Sequence, residues 1–191
     1  WDESLSASKS PDVVLTQEQK MAIDTISKGM SKSEGVFLLH GVTGSGKTEV
    51  YMHLVEKALK DGKRAIILVP EISLTPQTVG HFKSRFGEEV AILHSRLSLG
   101  ERFDEWRRIY KCQVNIVVGA RSAIFAPVRD LGLIIIDEAH EDSYKSESRP
   151  RYHTIGLAIQ RCKEQKAVLV LGTATPSLDD FYSSEQKHFT R

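Results

Sequence analysis

The octapeptide GVTGSGKT, Gly41 to Thr48, and the tetrad DEAH, Asp137 to His140, hold the residues whose types and spacing could do chemistry. The first fits G-x-x-x-x-G-K-[ST], in which glycines let successive backbone N–H groups converge on anionic oxygens with no side chain in the way. Gly41, Val42, Thr43, Gly44, Ser45 and Gly46 would form that cradle, and Lys47 would neutralise the outer phosphates. The Thr48 hydroxyl stands where it could ligate magnesium, an ion that takes oxygen ligands octahedrally and shares them with nucleotide phosphates. Asp137 is the natural second protein ligand. Glu138, its neighbour, is then free to activate water for in-line attack on a γ-phosphate.

Such groups need elements to hold them. Both carboxylates follow the apolar run Leu133 to Ile136, so they emerge together from the end of a buried strand. The glycine-rich string alone could be an ordinary turn. It follows a second apolar run, Val36 to Leu39, and opens a stretch with Tyr51, Leu54, Val55, Ala58 and Leu59 at helical spacing. Strand, loop, helix is the order the motif requires, and the helix would aim its positive dipole end at the phosphates. Further strand-length runs lie at Ala65 to Val69, Val90 to Leu93, Val114 to Val118 and Ala167 to Leu171, mostly separated by helical patterns. This is an α/β signature. Continuous Val, Ile and Leu without alternation imply strands buried on both faces, hence a mostly parallel sheet flanked by helices on both faces. Ligands of such sheets gather at the strands' carboxyl ends, where both motifs fall.

Helix boundaries are also legible. Thr75 before Pro76 suits an N-cap and first helical residue, with Val79, Phe82 and Phe86 inward and Gly87 closing the helix. Ser98 with Glu101 makes a capping box for a helix expected to turn Phe103, Trp106 and Tyr110 inward and Arg102, Arg107 and Arg108 towards solvent. A helix is expected from Thr154 to Lys163, and Thr175 with Pro176 reads as a further helix start.

Composition sets bounds. The chain has 191 residues, 40% hydrophobic and 27% charged, which suits one globular domain. A formal net charge of +1 does not announce a nucleic-acid binder, so any such binding must be local. There is no leader-like stretch and no membrane-length apolar run, so a cytoplasmic address without membrane partners is expected. The two cysteines, Cys112 and Cys162, form no C-x-x-C pair and read as small buried hydrophobes rather than zinc ligands or a disulfide. The polar lead-in, residues 1–12, reads as a linker or artificial boundary before a domain spanning 13–191, and the chain as a piece of a larger protein.

GTATP, Gly172 to Pro176, resembles the third motif of superfamily 2 helicases, and DEAH is similar to their second. Between them, VPEISLTPQ (Val69 to Gln77), LHSRLS (Leu93 to Ser98) and VVGARSAIFAP (Val117 to Pro127) resemble segments of the bacterial replication-restart helicases, the PriA or primosomal protein N′ family. DEAH-box RNA helicases share the tetrad but not VPEISLTPQ. The resemblance, from about Leu15 onward, implies a RecA-like P-loop NTPase lobe, the first of two. It implies ATP and Mg2+ as ligands, and zinc only in regions outside this chain.

The resemblance also implies roles for single residues. Gln19 matches the adenine-reading glutamine, yet Thr16 with Gln19 fits a capping box, and one residue could do both. His140 would link the acidic motif to Thr173 and Thr175; the alternative is a histidine that merely packs. The segment Glu141 to His153, with Tyr144, Lys145, Arg151, Tyr152 and His153, resembles the aromatic-rich loop that senses single-stranded DNA, where rings stack on bases and cations meet phosphates. A tryptophan usual in that loop is replaced by Pro150; otherwise the segment is an ordinary polar loop. Ser73, Thr75, Arg121 and Ser122 are candidates for sugar-phosphate contacts, with capping as the alternative for Thr75.

The activity implied is ATP-driven 3′ to 5′ DNA unwinding at stalled forks, with single-stranded and forked DNA, the primosome and single-strand-binding proteins as partners. The family completes its ATP site with arginines from a second lobe, so the 191-residue piece alone is expected to be nearly inactive. Two other functions share these motifs: translocation on duplex DNA without unwinding, and a nucleotide-responsive binding module that does not hydrolyse.

Overall fold

The computed structural model describes residues 14–42, 44–145 and 152–175. The expected linker over 1–12, Thr43, Pro150, Arg151 and the helix start at Pro176 lie outside the described residues.

Among the described residues six strands, β1 Val36–His40, β2 Arg64–Leu68, β3 Val90–Leu93, β4 Ile116–Gly119, β5 Leu131–Ile136 and β6 Val168–Thr173, form one sheet in the order β1-β6-β5-β2-β4-β3. Every pairing is parallel. The register sets Ile136 level with both Leu68 and Leu171, so the loops after β2, β5 and β6 leave at one height. Among the described residues five helices cover the sheet: α1 Gln17–Lys32, α2 Lys47–Lys60, α3 Pro76–Phe86, α4 Leu99–Tyr110 and α5 Thr154–Gln165.

Each strand feeds two cores because successive side chains point to opposite faces. Ile134, Ile136, Leu169 and Leu171 meet Ile109 of α4 and Ala158 and Cys162 of α5. Leu133, Ile135, Val168 and Val170 meet Val50, Leu54 and Val55 of α2, Phe82 of α3 and Ile26 of α1. This double burial is why the strands read as unbroken apolar runs. Leu133 to Ile136 are fully buried, each contributing roughly 1.5–3 kcal/mol.

The caps form as the sequence predicts. Thr16 and Gln19 make a reciprocal capping box on α1, Ser98 and Glu101 another on α4, and Thr75 Oγ1 accepts from Thr78 N with Gly87 ending α3. The inward face of α4 is in part a correction, for Trp106 packs against the core as expected. Phe103 and Tyr110 are exposed, with Arg107 over the Phe103 ring at 4.7 Å and Arg129 over Tyr110 at 5.1 Å. The reason is the neighbouring sheet edge: β3 is an edge strand, and Ile92 N donates to Glu105 Oε2 at 3.1 Å. Satisfying that amide turns the 105–109 side of α4 inward. Arg108 is drawn along, donating to Glu105 Oε1 at 2.6 Å and to Glu88 O at 3.0 Å, so it is not simply solvated.

Both cysteines are free. Cys162 is a core residue whose thiol is pushed up to about 12 by burial, whereas Cys112 is only half-buried. Among the described residues no helix is long and apolar enough to cross a membrane.

Arg161 of α5 was not singled out by sequence, yet it holds the segment between β4 and β5. Its Nη1 donates to Ile124 O, and its Nη2 to Ala126 O at 2.8 Å and Val128 O at 3.4 Å. Arg161→Met keeps most of the apolar stem but strands these carbonyls, and is expected to destabilise the fold by roughly 1–3 kcal/mol. Urea melts of the two proteins measure it; equal midpoints would exclude the clamp.

Candidate functional site

The phosphate loop begins where β1 ends. Gly41 N donates to Thr173 O at 3.1 Å, tying the loop's first residue to the end of β6. At Gly46, with φ of 81°, an added Cβ would run into Nε2 of Gln19. Gln19 therefore packs against the loop: its Oε1 accepts from Thr16 N at 2.9 Å, while Nε2 donates to Ser45 O at 3.2 Å and Gly46 O at 3.3 Å. The carboxamide caps α1 and braces the loop, so reading a base would require exchanging these bonds. Lys47 opens α2, and its Nζ folds back to Gly41 O at 2.5 Å, with Glu138 Oε1 at 3.6 Å. Thr48 is exposed in the first turn of the same helix. Beside the loop, α1 and β1 enclose a cavity of ≈ 610 Å³ bounded by Gln19, Met21, Ile26, Phe37, Leu39 and Lys47.

The acidic pair stands at the end of β5, opposite the loop. Asp137 is held at three atoms: its N donates to Leu68 O at 2.8 Å, its carbonyl accepts from the Tyr144 hydroxyl at 2.6 Å, and Oδ1 accepts from the Tyr51 hydroxyl at 2.8 Å. Burial holds its carboxyl above the ordinary range and Glu138 adds to this, opposed by the Tyr51 hydrogen bond and Lys47. Glu138 has φ of 45°, the left-handed region that a non-glycine residue rarely occupies. The turn is fixed by Ala139 N donating to Gly172 O at 2.8 Å and Glu141 N to Glu138 O at 2.9 Å. Strain of this kind concentrates where a side chain must be aimed, and here it aims Glu138 towards Lys47.

His140 Nδ1 lies 2.9 Å from Thr173 Oγ1 and 3.5 Å from Glu138 Oε2, and Thr175 N donates to Thr173 Oγ1 at 3.2 Å. The three residues expected to link the acidic motif to the loop after β6 are thus in contact.

The donor set fits magnesium. Thr48 offers a hydroxyl and Asp137 a carboxylate, both hard oxygen ligands, on elements joined by the Tyr51 to Asp137 bond. Among the described residues no three His, Cys, Asp or Glu side chains gather around a common point. A cation that completes its shell with phosphates and water needs no such cluster.

Four of the candidate DNA residues lie on the other half of the sheet, after β2 and β4. Ser73 and Thr75 follow β2; Arg121 and the exposed Ser122 follow β4. Arg121 Nη1 donates to Ser143 O at 3.1 Å and Lys145 O at 2.8 Å, joining this loop to the one after DEAH. Lys145 pairs with Asp142 at 2.8 Å and bridges to His153, while Tyr152 meets Phe125 edge-on, ring centroids 5.1 Å apart. Tyr144 is a correction. It is only 1% exposed, and its hydroxyl bonds Leu68 O as well as Asp137 O, so its ring packs beneath the acidic motif and does not face a base.

Two site residues were missed from sequence, Tyr51 and Gly172. Tyr51 read as one more apolar helix position; a buried phenol, which needs a partner for its hydroxyl, was the available signal.

A parallel sheet with a phosphate loop after its edge strand and an acidic pair two strands away defines a RecA-like P-loop lobe. The family model described as DEAD/DEAH box helicase matches residues 16–182, and the chain belongs to that family. It is 56% identical over 180 residues to the replication restart protein PriA of Bacillus subtilis, covering 94% of this chain and 22% of the relative. To PriA of Chlamydia muridarum it is 46% identical over 191 residues, covering 99% and 25%. The chain therefore spans about a quarter or less of the length of these curated relatives. Among solved structures it resembles RecG bound to a three-way DNA junction, with a TM-score of 0.68 and 25% identity, covering 92% of this chain and 23% of that one. The Pyrococcus furiosus Hef helicase domain shares the fold, with a TM-score of 0.61 and 24% identity over 94% of this chain and 39% of that one.

Proposed function

We propose that this chain is the first motor lobe of an ATP-dependent 3′ to 5′ DNA helicase acting in replication restart. It binds Mg-ATP at the phosphate loop and single-stranded DNA along the loops after β2 and β4. The observation that supports this best is the convergence of Lys47, Asp137 and Glu138 at one sheet end, with His140 hydrogen-bonded to Thr173.

Magnesium, when bound, supplies charge to the phosphates and orients them. Thr48 and Asp137 would hold it. The backbone N–H groups of Gly41 to Gly46 cradle the phosphates, and the Lys47 ammonium exchanges Gly41 O for a phosphate oxygen. Glu138 accepts the proton of the attacking water. His140, through Thr173 and Thr175, carries the state of the γ-phosphate to the loop after β6.

On the DNA side, Arg121, Ser122, Ser73 and Thr75 contact phosphates without reading bases, which suits a motor that must move over any sequence. Lys145, Arg151, Tyr152 and His153 extend that track. RecG, which this chain resembles, has been seen on a branched junction, and the PriA relatives are named for replication restart. Forked DNA, the primosome and single-strand-binding proteins are the corresponding partners in the cytoplasm, and zinc belongs to other parts of the whole protein.

Arg121→Ala in the whole protein is expected to weaken single-stranded DNA binding by about 10-fold or more, the loss of a charged hydrogen bond. Nucleotide affinity measured without DNA should not change. Fluorescence anisotropy with a labelled oligonucleotide measures the first, and unchanged DNA affinity would remove the track from this loop. A strand-displacement assay on the same protein separates unwinding from translocation on duplex DNA.

A further inference from the structure

Tyr51 lies four residues after Lys47 and three after Thr48, so one helix carries the phosphate-loop lysine, the candidate metal hydroxyl and this phenol. Its ring is buried in the core under the sheet, only 2% exposed, at a position that Phe would fill equally well by volume. What Tyr adds is a hydroxyl, which is costly to bury unless it is bonded. The hydroxyl emerges at the strand ends and donates to Asp137 Oδ1 at 2.8 Å.

Gly172 is the second, independent sign. It sits in β6 after the large apolar residues Val168 to Leu171 and before Thr173, and it is not among the glycines with positive φ. Its backbone therefore does not demand glycine; the space beside it does. A Cβ at Gly172 would fall on the Tyr51 hydroxyl, and would lie 3.0 Å from Tyr51 Cζ and 3.3 Å from Asp137 Oδ1. The side chain is absent from β6 at the point where the phenol reaches across to the carboxylate. The main chain of Asp137 is already fixed by Leu68 and Tyr144, and the Tyr51 hydroxyl adds a bond that restrains the carboxylate's rotation.

We infer that Tyr51 is a positioning residue for the divalent cation: its hydroxyl commits Oδ1 of Asp137 to the protein and directs the other oxygen to the metal, with Gly172 providing the room. The inference rests on Asp137 being the metal ligand. Groups that orient a metal's ligands through hydrogen bonds typically change metal affinity by about 10- to 100-fold when removed.

The test uses the whole protein with Mn2+ in place of magnesium and ADP as the nucleotide, free Mn2+ being counted by electron paramagnetic resonance. Tyr51→Phe is expected to raise the half-saturating Mn2+ concentration about 10-fold or more, with metal-free ADP affinity unchanged. Gly172→Ala should raise it similarly by displacing the same hydroxyl, and the two substitutions together should raise it by less than their separate effects combined. If Tyr51→Phe does not fold, Gly172→Ala alone probes the same bond from the opposite side. An unchanged Mn2+ midpoint, ADP affinity falling equally with and without metal, or additive effects of the two substitutions would each overturn the role of Tyr51. Asp137→Asn distinguishes this from failure of the site itself. If Mn2+ binding with ADP is indifferent to Asp137→Asn, or absent in the unaltered protein, the metal assignment falls and Tyr51 with it. If Asp137→Asn abolishes it and Tyr51→Phe does not, only the Tyr51 inference falls.

Discussion

In the whole protein, Glu138→Gln is expected to lower nucleotide hydrolysis by about 10²–10⁴-fold, the range for losing a positioned general base. Unwinding should fall with it, while nucleotide still binds. Gln matches Glu in shape, so the turn with φ of 45° at this residue need not change. What is lost is the proton acceptor, together with the charge that faces Lys47 at 3.6 Å and His140 at 3.5 Å. Removing the first of these contacts frees Lys47 for the phosphates, so affinity should hold or rise. Single-turnover hydrolysis and binding of a fluorescent nucleotide separate the two effects. Full activity in the variant would move the base role away from Glu138. A parallel loss of binding would mean that the carboxylate holds the loop and does not serve the water.

Expressed alone, the 191-residue chain is expected to bind Mg-nucleotide yet turn it over about 10³–10⁵-fold more slowly than the whole protein, the range associated with a missing arginine on the transferred phosphate. Among the described residues, Lys47 is the cation that contacts the phosphate loop's Gly41 O and Glu138. Among the described residues, Arg85 pairs with Glu49 and Glu56, Arg64 with Asp130, Arg121 with the carbonyls of Ser143 and Lys145, and Arg161 with three more carbonyls. Under the proposed function, the arginines that complete the site would come from a second lobe of the whole protein. Comparing steady-state hydrolysis of the chain and the whole protein, with and without single-stranded DNA, measures the ratio. Robust DNA-stimulated turnover by the chain alone would show that it completes its own site.

Where reading the residues went astray, a distant partner was responsible. The inward side of α4 was misjudged because Glu105 reaches an unpaired amide on edge strand β3, a demand that no periodicity within the helix records. Tyr144 was grouped with rings that meet DNA because it lies in an aromatic, charged segment. It is buried because two carbonyls, Leu68 O and Asp137 O, end neighbouring strands and share its hydroxyl. Gln19 was open between two roles, and its contacts engage both ends of the carboxamide at once.

The amino-acid order by itself determined what is local. The glycine loop and the acidic tetrad are set by the few atoms that phosphate and magnesium require, the caps by bonds spanning three residues, and the six strands by apolar runs long enough to be buried on both faces. Only the tertiary structure decided which strands are neighbours. Because each of the six runs packs apolar side chains on both faces, nothing in a parallel strand's own sequence names its partner. The order β1-β6-β5-β2-β4-β3 brings the phosphate loop, Thr173 and the acidic pair together on one half and leaves Ser73, Thr75, Arg121 and Ser122 on the other. That order and its register also carry Tyr51 across Gly172 to Asp137, a contact spanning 86 positions in the chain that exists only once the sheet has formed.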